Sequence, residues 1–242
     1  MHYQPDWGVA IAGLPLMIQG LGLTVLITVI VLALSLVLAV PVALARMSEI
    51  DALRWAAQIY IEIFRCTPLL IQIIWIFYAL PTLTGITLPG FWAAVVALTF
   101  NLTAYMAEAY RSGFQAVPVE QVEAAKMLRL SRFAQIRYIV IPQAMKQQLP
   151  VILSLSISSF KDTALISTIG VADLMYTSQN LALQSYRSLE VLTFAAGLYF
   201  VVAFPVSIIV NQLERRTPGS GRAGRRRIRD LASARVTAEA AA

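Results

Sequence analysis

Two reactive residue types are almost missing from this chain. Its 242 residues hold one histidine, His2, and one cysteine, Cys66. A lone cysteine closes no intrachain disulfide, and the pair cannot assemble a Cys/His metal cluster. Charge is scarce as well. Charged residues make up 13% of the chain and hydrophobic ones 58%, whereas a soluble domain carries roughly a quarter charged residues. With a mean hydropathy of +0.70, the composition excludes an ordinary soluble domain and points to a bilayer as solvent. No phosphate loop of the G-x-x-x-x-G-K-[ST] type, no G-x-S-x-G and no H-E-x-x-H occurs. ATP binding by that loop, acyl transfer and zinc hydrolysis therefore lack their usual anchors. The first residues, MHYQPDWG, carry no basic run, so the first apolar span is expected to insert as an uncleaved anchor.

What is present is a series of apolar runs. A spanning helix needs about 20 of them in a row. Five candidates are expected at residues 20–44, 58–80, 91–110, 149–170 and 191–210, giving an all-α integral membrane fold. Residues 9–18 are expected to form a separate short interfacial helix, residues 47–54 a charged loop and residues 172–190 a polar outer loop. The balance is 19 Lys and Arg against 13 Asp and Glu. With the N-terminus outside, residues 1–19, 81–90 and 172–190 face outward, and of the basic residues they hold only Arg187. The positive-inside rule then favours N-out, C-in. The same clustering accounts for the basic surplus without a nucleic-acid partner. The chain divides into an outer N-terminal segment (1–19), a membrane domain (20–216) and a Gly/Arg/Ala-rich tail (217–242). That tail is read as solvated, with residues 222–229 able to touch anionic lipid.

Polar residues inside the spans are the candidates for function. Glu62 and Arg65 lie three apart on one helical face and can pair or snorkel. Thr67-Pro68 interrupts the second span, with Gln72 one turn on, and irregular backbone at depth is tolerated where it lines a cavity. Asn101 and Tyr105 are four apart with Glu108 on nearly the same stripe. Asn101 suits either a neighbouring helix or a substrate, and Glu108 either Arg111 or a substrate. Lys161 and Asp162 fall about 11 residues into the fourth span, roughly 17 Å deep. Charge there costs about 2.5–3.5 kcal/mol and needs a partner or a polar cavity. Neighbours on a helix point about 100° apart, so one of the two is expected to serve a cavity and the other a helix or subunit contact.

Residues 117–142 form the longest polar interval between spans, with Glu120, Glu123, Lys126, Arg129, Arg132 and Arg137. Pro118 suits a first helical turn, Ser131 suits an N-cap, and Pro142 is expected to end or bend a second short helix. Two short helices at an angle make a stiff knob suited to docking.

Glu123-Ala124-Ala125 followed by Ile139-Val140-Ile141-Pro142 resembles the EAA loop of ABC-importer permeases, E-A-A-x3-G-x9-I-x-L-P. Ile141 replaces the motif's Leu, and Arg129 replaces its Gly. TPLLIQ (67–72), NLTAYMAEAYRSG (101–113) and KDTALISTIGV (161–171) resemble the polar amino-acid (His/Glu/Gln/Arg/opine) branch. The likeness runs from about residue 20 to 216. It implies a permease subunit in the bacterial plasma (inner) membrane, with no enzymatic activity or cofactor of its own. A separate pair of ATPase subunits would carry ATP and Mg and dock at Glu120, Glu123, Ala124, Ala125, Arg129, Ile139 and Pro142. An extracytoplasmic solute-binding protein would deliver a polar amino acid, and a second permease copy or a similar chain would complete the pathway. Substrate contacts are expected at Thr67, Gln72, Asn101, Tyr105 and Asp162, with Glu62, Glu108 and Lys161 as further candidates. The rival readings are a non-transporting scaffold or sensor that recruits a cytoplasmic partner, and a passive channel. The scaffold has no use for polar residues at depth, and the channel has none for a stiff knob.

Overall fold

The computed structural model describes residues 5–216; the readings of His2 and of the tail from 217 onward lie outside them. The described residues fold into helices joined by short turns, without strands. Helix α1 spans Trp7–Arg46, about 60 Å at 1.5 Å per residue. Asp6 caps it by accepting from the Gly8 amide at 3.0 Å. The separate interfacial helix expected at 9–18 is not there, because α1 runs unbroken through Pro15 and Pro41. One proline forfeits a single backbone bond, whereas a break would strand several in apolar surroundings. Gly20, which reads like a helix boundary, instead permits a close approach. A Cβ there would stand 2.5 Å from Thr177 Oγ1 and 2.8 Å from the Asp173 carbonyl.

Helix α2 spans Asp51–Cys66, so the charged loop is shorter than expected, and Asp51 pairs with Arg54 in the first turn. Helix α3, Leu69–Thr84, follows after a bend of 106°. The expected second span at 58–80 is therefore a bent pair. Thr67 is extended (φ −102, ψ 142), as the residue before a proline prefers, and Pro68 cannot donate to continue the ladder. Helix α4 spans Gly90–Gln115 and packs at the centre. Its Ala93, Ala97 and Leu98 join Ile27, Val31 and Ala39 of α1 in the main buried cluster, small residues letting the helices close up.

Helix α5, Val119–Met127, is the first knob helix. The second knob helix and the fourth span, expected separately, are one helix, α6, Arg132–Ile169. Pro142 does not end it. A π-helical turn at Ile136–Val140 precedes that proline, which falls at the start of the next α-helical stretch. The last turns of α6, Thr163–Ile169, tighten to a 3-10 helix and stop at Gly170 with φ 77. Residues 172–190 are not a loop. Helix α7, Leu174–Ser185, is capped by Asp173 and lies along α1, where a Cβ on Gly13 would meet Leu181. Ala10 and Met17 of α1 join Leu174 and Ala182 of α7 in a second core that includes Val191 and Ala195. Those last two belong to helix α8, Ser188–Arg216. Among the described residues four helices are long and apolar enough to cross a membrane, or five where the bent α2–α3 pair counts as one span.

Candidate functional site

The α2–α3 bend, α4 and α6 enclose a cavity of about 510 Å³, lined among others by Arg65, Thr67, Asn101, Tyr105, Ser159 and Asp162. The bend is braced by side chains. The Gln72 amide donates to the carbonyls of Phe64 and Thr67, both at 3.0 Å, and to Thr67 Oγ1 at 2.7 Å. Asn101 Nδ2 donates to Gln72 Oε1 and to the Phe64 carbonyl, both at 3.0 Å. Carbonyls freed by the bend are thus satisfied by two amides, as buried backbone polar groups must be. Gln72 is itself buried and stands behind the cavity wall, whereas Thr67, Asn101, Tyr105 and Asp162 line it.

Arg65 and Glu62 do not form an ion pair. The Arg65 guanidinium sits over the Tyr105 ring, 5.6 Å from its centroid, and Glu62 Oε2 accepts from Cys66 Sγ at 3.4 Å. Glu108 pairs with Arg111. Lys161 and Asp162 part company as their helical spacing requires. Asp162 lines the cavity, while Lys161 lines a second groove of about 690 Å³ with Tyr199, Phe200 and Phe204.

Arg65, Cys66 and Ser159 line the cavity without being expected there. Arg65 read as a residue that pairs with Glu62 or snorkels. Ser159 is buried, and its hydroxyl has no partner among the described residues. Two further acids escaped sequence reasoning because their segment read as an outer loop. Asp173 is fully buried, accepting from the Tyr176 amide at 2.8 Å. Glu190 is fully buried and accepts from the Asp6 amide at 2.8 Å.

At the other end of α6, the knob keeps its polar residues outward. Glu120, Glu123, Ala124, Arg129 and Pro142 are exposed, Ile139 is half-buried and Ala125 is buried. Large apolar side chains are exposed beside them, among them Met127 (86%), Leu128 (74%), Phe133 (74%) and Tyr138 (72%). Gln143 on α6 donates to Gln121 on α5 at 2.6 Å, tying the two helices together. Ser131 Oγ accepts from the Ala134 amide at 3.2 Å, the cap its position suggests.

A model of the family described as binding-protein-dependent transport system inner membrane component matches residues 35–218. The chain is 32% identical over 211 residues to the arginine transport system permease protein ArtQ of Bacillus subtilis, covering 87% of this chain and 96% of ArtQ. It is 35% identical over 214 residues to the glutamine transport system permease protein GlnP of Escherichia coli K12, covering 88% and 98%. A crystal structure of an amino acid ABC transporter with histidines superposes with a TM-score of 0.83 at 35% identity, covering 88% of this chain and all of that one. The inward-facing MetNI methionine ABC transporter, at 20% identity and a TM-score of 0.66, shares the fold.

Proposed function

The chain belongs to the family of binding-protein-dependent inner membrane transport components, as a permease subunit of an amino-acid ABC importer, and on that premise we propose how it couples and what it contacts. A polar amino acid, delivered by an extracytoplasmic binding protein, enters the cavity beside Thr67, Asn101, Tyr105 and Asp162. Asp162 receives its ammonium group, and the amide and hydroxyls orient the rest. Gln72 acts behind the wall by holding the bend, with Glu62, Glu108 and Lys161 outside the contact set. A separate pair of ATPase subunits, which would hold ATP and Mg, docks on Glu120, Glu123, Ala124, Arg129 and Pro142, with Ala125 and Ile139 packed beneath. A second copy or a similar chain completes the pathway.

The observation that carries this reading is the continuity of α6. One helix bears Phe133 and Tyr138 in the exposed knob and Asp162 at the cavity. About 30 residues of helix separate Phe133 from Asp162, roughly 45 Å. A packed helix moves as a rigid element, so displacement of the knob reaches the cavity wall without an intervening loop. Exposed apolar side chains interleaved with charge are what a docking surface in water requires, and their exposure is otherwise unfavourable.

The test is co-purification of the wild-type membrane chain and Glu123→Arg, with mass spectrometry of everything retained. Wild type should retain an ABC ATPase and the variant should lose it. Retention of no ATPase by either would remove the coupling role of α5.

A further inference from the structure

We propose that the cavity selects an amino acid with an uncharged side chain, and that Arg65 receives its α-carboxylate. This rests on the cavity being the substrate site and concerns what that site admits.

Of the residues lining the cavity, two are charged, Arg65 and Asp162. One cation and one anion complement the zwitterionic head of an amino acid, carboxylate to Arg65 and ammonium to Asp162. A third charge, on the substrate's side chain, finds no counterpart among the described residues that line it. What remains of the wall is apolar (Leu98, Leu102, Leu155) or neutral and polar (Thr67, Asn101, Ser159). A charge moved from water into such a wall is uncompensated and disfavoured, whereas an uncharged side chain loses little. The Ser159 hydroxyl, buried and without a partner among the described residues, is a donor left for a polar but neutral substrate group.

The surroundings leave Arg65 and Asp162 available for this. Glu108 is engaged by Arg111, Glu62 accepts from Cys66, and Lys161 lines the other groove. Arg65 is stacked over Tyr105, and the Tyr105 hydroxyl donates to the Arg65 carbonyl at 3.5 Å. Stacking occupies the face of a guanidinium and leaves its in-plane N–H groups free, the fork that matches a carboxylate in bidentate fashion. A volume of about 510 Å³ accommodates one amino acid with water.

The experiment uses the full chain purified with its ATPase subunits in detergent. Binding of L-glutamine and L-methionine is compared with that of L-arginine and L-glutamate, and L-glutamine with its α-amide, on wild type, Arg65→Gln, Arg65→Lys and Asp162→Asn. Wild type should prefer the better uncharged ligand by at least about tenfold, and should bind the α-amide about 10- to 100-fold more weakly than the free acid, as loss of a charge-assisted pair implies. In Arg65→Gln that discrimination should fall to near one, and Arg65→Lys should retain part of it. If Arg65→Gln does not fold, the partial loss in Arg65→Lys is the readout. Unchanged discrimination in both variants, or tighter binding of a charged amino acid, overturns the proposal. Binding that is undiminished in Asp162→Asn, or absent in wild type for all four ligands, overturns instead the underlying assignment of the cavity and the proposal with it.

Discussion

The Arg129 amide donates to the Lys126 carbonyl at 2.9 Å, with Arg129 in the left-handed region at φ 57. The next amide, of Leu130, reaches back to the Ala125 carbonyl at 3.2 Å. These two bonds form a Schellman ending for α5, and its left-handed position favours glycine. That is where the EAA pattern has glycine and this chain has arginine, so the turn is kept at the expense of strain. Arg129→Gly should therefore stabilise the protein by about 1 kcal/mol, visible as a higher unfolding temperature in detergent. It should also weaken ATPase association at low ionic strength, with the difference shrinking in high salt as screening removes the guanidinium's contribution. Equal or stronger association at low salt would show that Arg129 has no electrostatic part in docking.

The brace across the α2–α3 bend makes a second prediction. Gln72→Leu removes one of the two donors to the Phe64 carbonyl and the amide donor to that of Thr67, and each lost hydrogen bond of this kind costs about 0.5–1.5 kcal/mol. Asn101→Leu removes a donor to the same Phe64 carbonyl. The two substitutions share partners, so their effects should be non-additive by about 0.5 kcal/mol or more in a double-mutant cycle on thermal unfolding. Strict additivity would mean that the two amides do not act as one brace.

Asp162 and Lys161 should separate functionally. Asp162→Asn should lower uptake in proteoliposomes at least about tenfold, the scale of a lost charge-assisted contact, while leaving ATPase co-purification intact. Lys161→Met should leave amino-acid affinity within about twofold, because Lys161 lines a different groove. Uptake unchanged in Asp162→Asn would sink its role in substrate contact.

Close approach at Gly20 supplies a stability test. Gly20→Ala places a methyl against the Asp173 backbone and Thr177, and overpacking of this kind costs about 1–3 kcal/mol. Gly22, two residues on and turned away from Gly20 on the same helix, has open space where a Cβ would go, so Gly22→Ala should be neutral or slightly stabilising. Equal unfolding temperatures for the two variants would contradict the packing of α7 on α1.

These contacts also explain what could be read from residues alone. Helices α4 and α8 were legible because long apolar runs have few alternative uses. The bend at Thr67-Pro68 was legible as an irregularity, but its angle depends on Gln72 and Asn101 meeting from different helices. Helix α7 was hidden because its Tyr, Ser, Gln and Asn content reads as a solvated loop, and only its packing on α1 makes helix the better state. The continuity of α6 was hidden by Pro142, whose cost falls where the preceding π-helical turn has already relaxed the ladder. Arg65 was hidden by Glu62, which offered an obvious partner that the folded chain does not use. Within the candidate site, Thr67, Asn101, Tyr105 and Asp162 line the cavity while Gln72 stands behind it, and that division into wall and brace emerged only from geometry.

The π-helical turn at Ile136–Val140 has one more consequence. Such a turn takes up one residue beyond the α-helical count, so it acts as a phase offset between the two ends of α6. The azimuth of the residues near Arg132 and that of Asp162 are thereby set independently. Deleting one residue inside the turn restores ordinary helical winding and leaves Asp162 facing the cavity. Deleting one residue above it, within 145–148, rotates everything downstream by about 100° and brings Thr163 into the position of Asp162. The exposed face near Arg132 can thus change in sequence without turning the cavity wall.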